Sequence, residues 1–215
     1  MGASDPATGI GADPPTATGM QRPAAASTPA QRARRERIVR AAQALLEERP
    51  YDQIQIRDIS EKADVALGTL YRYFPSKELL FAHVLLEWSA SFDVALRQRH
   101  GETASDADRL RQALRRAAGA FERYENFFAL IDLLEVSKDP KVMATFTAYR
   151  SRFTDALTQV LVDTDPDDVE VLTELVSSLL GSLLRDWSQG QHSMTAVTRR
   201  IDRAVDIVFD GVRSR

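Results

Sequence analysis

The side chains best able to do chemistry in this sequence are clustered. Thr69, Tyr71, Arg72 and Tyr73 follow Gly68 directly, with Arg57 upstream and Lys77 downstream. Hydroxyls, guanidinium groups and an ammonium at this density offer hydrogen bonds and charge to phosphate oxygens and base edges. Gly68 and Thr69 leave room for a phosphate backbone to come close. Bond-making chemistry finds no comparable cluster. The sequence has no cysteine, which removes thiolate nucleophiles, disulfides and Cys-ligated zinc. His83, His100 and His192 stand too far apart in sequence to suggest a metal site. The carboxylates are plentiful but scattered, and no Ser-His-Asp order is present. The reading is therefore recognition, with no catalytic residue, no metal and no cofactor. A helical enzyme is the rival from another class, and it lacks a constellation to support it.

These side chains need elements that hold them outward. From Gln31 to Arg49, Ile38, Ala41, Ala42, Leu45 and Leu46 recur at helical spacing, while Arg32, Arg34, Arg35, Arg37 and Arg40 crowd the first half. Pro50 breaks that helix. A short helix is expected over about Ile56–Ala63, with Ile56, Ile59 and Ala63 on one face, and Asp64 closes it into a tight turn. A third spans about Leu67–Phe74 and stops at Pro75. Two short helices joined by such a turn read as helix-turn-helix, with Leu70 and Phe74 facing inward as core. The competing use of Tyr71 and Tyr73 is packing within the small domain.

Ser76 is a candidate N-cap for a long fourth helix reaching about Arg99, with Glu78 in its first turn. Further helices are predicted at about Asp106–Arg123, Asn126–Ser137, Pro140–Val162, Pro166–Gln189 and Met194–Val212. Pro140 and Pro166 fall in first turns, and Ser193 is placed to cap the last helix. No alternating strand pattern competes, so the fold class is all-α. Residues 1–30 are rich in Ala, Pro, Gly, Thr and Ser and are expected to form a disordered arm, with Arg22 their single basic residue. Residues 31–77 form the expected helix-turn-helix domain, and residues 78–215 a larger helical domain.

Charge divides along the same line. Residues 31–77 carry 10 Lys+Arg against 7 Asp+Glu, a net of +3; residues 78–215 carry 17 against 22, a net of -5. A basic module on an acidic body is the footprint of a small DNA-reading domain. No stretch is apolar enough for a membrane span, and no secretory signal is evident, so a cytoplasmic protein with no membrane partner is expected.

The segment Val65-Ala66-Leu67-Gly68-Thr69-Leu70-Tyr71-Arg72-Tyr73-Phe74-Pro75-Ser76-Lys77-Glu78-Leu79-Leu80 resembles the DNA-binding region of the TetR family of transcriptional regulators. The likeness extends back through Ile56-Arg57-Asp58-Ile59-Ser60-Glu61-Lys62-Ala63, roughly 50 residues from Arg34 onward. It implies Arg57 at the groove edge, Thr69 and Tyr71 at phosphate or base edges, Arg72 at a base, Tyr73 at a phosphate and Lys77 as a phosphate-binding lysine. Gln55 departs from the family, which usually has a capping threonine there.

The larger domain concentrates aromatic residues: Trp88, Phe92, Phe121, Tyr124, Phe127, Phe128, Phe146, Tyr149 and Phe153. Core packing is the ordinary use of such residues. The resemblance implies a ligand cavity behind the fourth helix, so Trp88, Phe92, Phe121, Tyr124, Phe127, Phe128, Phe146 and Tyr149 are the candidates to line it around a small, mostly apolar organic molecule. In the last two helices, Leu172, Leu175, Val176, Leu179, Leu180 and Leu183 face Ile201, Val205 and Val208, and Gly181 and Ser182 permit close helix approach. This long stripe reads as a four-helix homodimer interface. The expected function is a ligand-released repressor that binds a near-palindromic double-stranded operator as a homodimer, with the fourth helix as lever. The alternative is an activator, or a regulator controlled by a protein partner.

Overall fold

The computed structural model describes residues 28–96 and 104–213, with side chains apart from residues 91–96 and 212–213. The described residues form α1 (Pro29–Glu48), α2 (Ile56–Lys62), α3 (Leu67–Tyr73), α4 (Lys77–Leu96), α5 (Asp106–Arg123), α6 (Glu125–Glu135), α7 (Pro140–Thr158), α8 (Pro166–Ser188) and α9 (Met194–Arg213). No strand occurs among them, and none of these helices is long and apolar enough to cross a membrane. The all-α class is as expected.

Local chemistry accounts for most boundaries. Thr28 caps α1: its hydroxyl accepts from the Gln31 N–H while the Gln31 side chain accepts from the Thr28 N–H, and Pro29 fills the first turn. This capping box corrects the sequence reading, which leaves residues 28–30 in the arm; the arm's residues 1–27 lie outside the described residues. Ser76 caps α4 through the Leu79 N–H, and Ser193 caps α9 through the Ala196 N–H. Pro140 and Pro166 begin α7 and α8 behind capping Asp139 and Asp165.

Two further features differ from expectation. Tyr51–Gln53 forms a short 3-10 turn between α1 and α2. The seventh helix ends at Thr158 and not at Val162, because the chain there is turned by the buried Asp106. That carboxylate accepts the Val162 and Asp163 N–H groups and the Thr164 hydroxyl, and pairs with Arg109. Burial would raise its pKa, but these bonds outweigh it and hold the carboxyl below its ordinary value. The predicted fourth-helix end at Arg99 lies outside the described residues.

The centre of the molecule is α4. Leu79, Leu80, Phe81, Ala82, Val84, Leu85 and Trp88 are all buried, as for a helix covered on every side. It packs along α7 on one flank and α1 on the other. One contiguous core runs from Ile38 in α1 to Phe209 in α9. The helix-turn-helix thus shares its hydrophobic anchorage with the body through α4.

Candidate functional sites

The first site begins with a turn. Ala63 ends α2, Asp64 adopts a left-handed φ of 51°, and the Val65 N–H reaches back to the Ser60 carbonyl at 3.0 Å. That is the bond of a Schellman-type helix end. Gln55 occupies the cap of α2, and its N–H donates to the Asp58 carboxylate at 3.1 Å. The acidic residue in the first turn thus supplies half of a capping box at the position where the sequence departs from the family.

Ile59, Ala63, Leu70 and Phe74 are buried beneath this turn. Each of the larger side chains contributes on the order of 1.5–3 kcal/mol when fully buried. That anchorage leaves the opposite face outward. Arg57, Gly68, Tyr71 and Arg72 are exposed and Thr69 half-buried. Tyr71 keeps 45% of its surface in solvent, and a Cβ added at Gly68 would meet no atom within 4 Å. Tyr73 is half-buried and leans on the core.

Lys77 is placed differently from its neighbours. Its ammonium lies 3.9 Å over the Tyr51 ring and donates to the Tyr51 carbonyl at 2.5 Å. Burial lowers its pKa, opposed by Asp52 and Asp58. Tyr51 itself is pushed up to about 12, mainly by burial and then by Glu78. Lys77 clamps the turn before α2 to the start of α4.

Arg35 ties α1 to the same region. It donates to Glu87 at 2.9 Å and to His83 Nδ1 at 2.8 Å, and lies 5.3 Å over the Phe74 ring. Since arginine only donates, His83 Nδ1 is an acceptor and the ring proton sits on Nε2. Burial first, and Arg35 second, depress the imidazole to about 4.

The second site is a cavity of about 650 Å³ among α5, α6, α7 and α8. Four of the expected aromatics line it: Phe121, Phe128, Phe146 and Tyr149, joined by Phe153 and Ile131. Trp88, Tyr124 and Phe127 are not in its lining. Trp88 stacks on Phe127 at 4.4 Å and meets Tyr124 edge-on at 6.2 Å, so these rings pack on one another; spacing alone does not separate packing from lining. The Phe92 side chain lies outside the described residues. What sequence reasoning missed is the polar wall from α8, including Thr173, Ser177 and Glu174, together with Arg150 of α7. The small polar residues among the leucines of α8 were the available signal.

Side-chain hydrogen bonds connect the sites. Asn126, at the start of α6, donates to the Leu46 carbonyl of α1 at 2.9 Å, and α6 goes on to line the cavity with Phe128 and Ile131. Arg152 of α7 donates to the Leu86 carbonyl of α4 at 2.8 Å.

The stripe on α8 and α9 is mostly spent inside the chain: Leu172, Val176, Leu180, Leu183, Ile201 and Val205 are buried. Of that stripe Leu175 stays outward, exposed by 53%, with Val171 and Ile207 of the same helices exposed by 65% and 57%. These three border a shallow apolar groove with Leu172 and Val208.

The profile of bacterial regulatory proteins of the tetR family matches residues 38–84, the segment that carries the second half of α1, all of α2 and α3, and the start of α4. Those residues carry the DNA-binding domain of the TetR family. Over 189 residues the chain is 29% identical to the HTH-type transcriptional repressor KstR of Rhodococcus jostii, covering 87% of this chain and 88% of that one. Over a shorter stretch of 72 residues, 34% of this chain and 33% of that one, it is 38% identical to the regulator EthR of Mycobacterium tuberculosis. A solved TetR transcriptional regulator from Rhodococcus sp. RHA1 superposes with a TM-score of 0.66 at 27% identity, over 83% of this chain and 96% of that one. FadR of Thermus thermophilus, solved with lauroyl-CoA, shares the fold at a TM-score of 0.65 and 20% identity, over 80% of this chain and 92% of that one.

Proposed function

We propose that this chain is a TetR-family repressor that binds a near-palindromic operator as a homodimer and is released when a small organic molecule fills the cavity. Arg57, Thr69, Tyr71 and Arg72 face outward on α2 and α3, where they meet phosphates and base edges in a major groove. Val171, Leu175 and Ile207 cover their counterparts in a second copy, and the two-fold axis spaces two recognition helices for two half-sites.

The observation that carries the ligand response is the double engagement of α6. One end is hydrogen-bonded to α1 through Asn126 and the next two turns line the cavity. A ligand that displaces Phe128 or Ile131 therefore shifts a helix fastened to the DNA-reading module. Through Arg152, α7 passes the same displacement to α4. Binding of ligand and operator must then oppose each other reciprocally.

The test starts from the purified chain and a random-sequence duplex pool. Selection of a sequence with two symmetric half-sites supports the reading, and selection of one half-site or of no sequence refutes it. A compound that raises the melting temperature by mass action should then lower operator affinity; equal affinity with and without it at saturation removes the ligand arm.

A further inference from the structure

Seven hydroxyl groups on the described helices share one habit. Thr145, Thr154, Thr173 and Thr198 each donate to the carbonyl four residues back, and Ser60, Ser89 and Ser188 to the carbonyl three residues back. Ser177 breaks it. Its Oγ is buried and bonds to nothing, although it sits in the middle of α8, where a helical hydroxyl can turn to the preceding carbonyls. A buried polar atom without a partner is rare and calls for a cause.

A second hydroxyl without a partner stands on the facing helix. Tyr149 keeps only 9% of its surface exposed, and among the described residues its hydroxyl has no hydrogen-bond partner. Burial raises its pKa, so the phenol is protonated and has a proton to donate. Buried tyrosines ordinarily find a partner for that proton. Both residues line the same cavity, between its aromatic side chains, Phe121, Phe128, Phe146 and Phe153, and the polar wall of α8.

We infer that Tyr149 and Ser177 are the polar recognition pair of this cavity, and that its ligand is an apolar molecule carrying a neutral oxygen function, a hydroxyl or a carbonyl. The inference rests on the ligand-responsive reading above and names the ligand class of that site. Tyr149 donates to the oxygen, and Ser177 donates or accepts as the function requires. The charges around the cavity argue for a neutral group. Arg185 is already paired with Asp132 and Glu135 at 2.9 and 3.1 Å. Arg150 is exposed and shares the lining with exposed Glu170 and Glu174. A carboxylate or phosphate inside would meet no buried, uncommitted cation among the residues that line the cavity.

The test uses three flat probes that differ at one position: phenanthrene, 9-phenanthrol and phenanthrene-9-carboxylate. Each is titrated calorimetrically into the full chain, into Tyr149→Phe, into Ser177→Ala and into the double variant. One or two net hydrogen bonds predict that 9-phenanthrol binds about 3–10-fold tighter than phenanthrene. The advantage shrinks in each single variant and vanishes in the double variant, while phenanthrene affinity stays unchanged throughout. Equal binding of the phenol and the hydrocarbon, or an advantage that survives both substitutions, overturns the inference and leaves the cavity reading standing. Tightest binding by the carboxylate overturns it in favour of an anionic ligand. Binding by none of the three overturns the cavity reading itself. Should Tyr149→Phe fail to fold, Ser177→Ala alone carries the comparison.

Discussion

Gly181 offers a test of whether the cavity belongs to one chain or is shared between two. It lies in the interior of α8 and lines the cavity. A Cβ added there would meet no atom within 4 Å, and its φ is helical, so Gly181→Ala carries no steric or backbone penalty within the chain. What remains is propensity: glycine costs a helix interior about 0.8–1.0 kcal/mol relative to alanine. The variant should therefore be more stable by about that amount, which for a domain of this size raises the melting temperature by about 2–4 °C. The measurement is thermal melting by circular dichroism across a hundredfold range of protein concentration. A rise that is equal at all concentrations supports the single-chain description. A fall in melting temperature that deepens on dilution would refute it. The space above Gly181 would then be occupied by the second copy, with the glycine present for close helix approach and the cavity partly an inter-subunit groove.

Other perturbations address the remaining claims. Arg57→Ala should weaken operator binding and lower the slope of log affinity against log salt by about 0.9 for the one phosphate it no longer neutralises; an unchanged slope places that side chain away from the backbone. Tyr71→Ala, which removes no charge, should weaken binding and keep the slope. Leu175→Arg puts a charge into the exposed α8–α9 face, and sedimentation should show the dimer dissociated while the circular dichroism of the monomer is kept. His83, depressed to about 4 from 6.5, stabilises the fold fully above pH 6.5, and that contribution is lost as pH falls through 4. Denaturant titration of His83→Gln should show a shallower decline than the parent over that window, and parallel declines would count against the buried neutral imidazole. Trp88→Ala removes the ring at the centre of the aromatic stack and should cost about 3–5 kcal/mol of stability; a small cost with a changed ligand response would return Trp88 to the cavity.

The helices are legible in the sequence where apolar spacing meets a cap or a proline. Asp106–Arg123 has the boundaries its pattern predicts, and Ser76, Ser193, Pro140 and Pro166 sit where their chemistry places them. The three-residue turn at Tyr51 is hidden because a single 3-10 turn has no periodicity to detect. The early end of α7 is hidden because its cause, Asp106, is more than fifty residues away in sequence. Packing partners are the least visible. Periodicity marks Trp88 and Phe121 alike as inward-facing; their rings meet at 5.3 Å, and only the arrangement of α4 to α8 gives Phe121 a place in the cavity lining as well. Likewise Leu175 and Leu172 share one stripe in sequence, and only the position of α9 leaves the first exposed and buries the second.

The left-handed residue between α2 and α3 has a consequence for rewriting what the protein reads. Asp64 and the bond from Val65 to Ser60 set the angle between the two helices by backbone geometry, and Leu70 and Phe74 fix the second helix from beneath. The positions that face outward, Arg57, Thr69, Tyr71 and Arg72, take no part in either constraint. Target preference can therefore be exchanged on a fixed mount: libraries at those four positions should leave expression and folding intact, whereas a β-branched residue at position 64 should misalign every member at once.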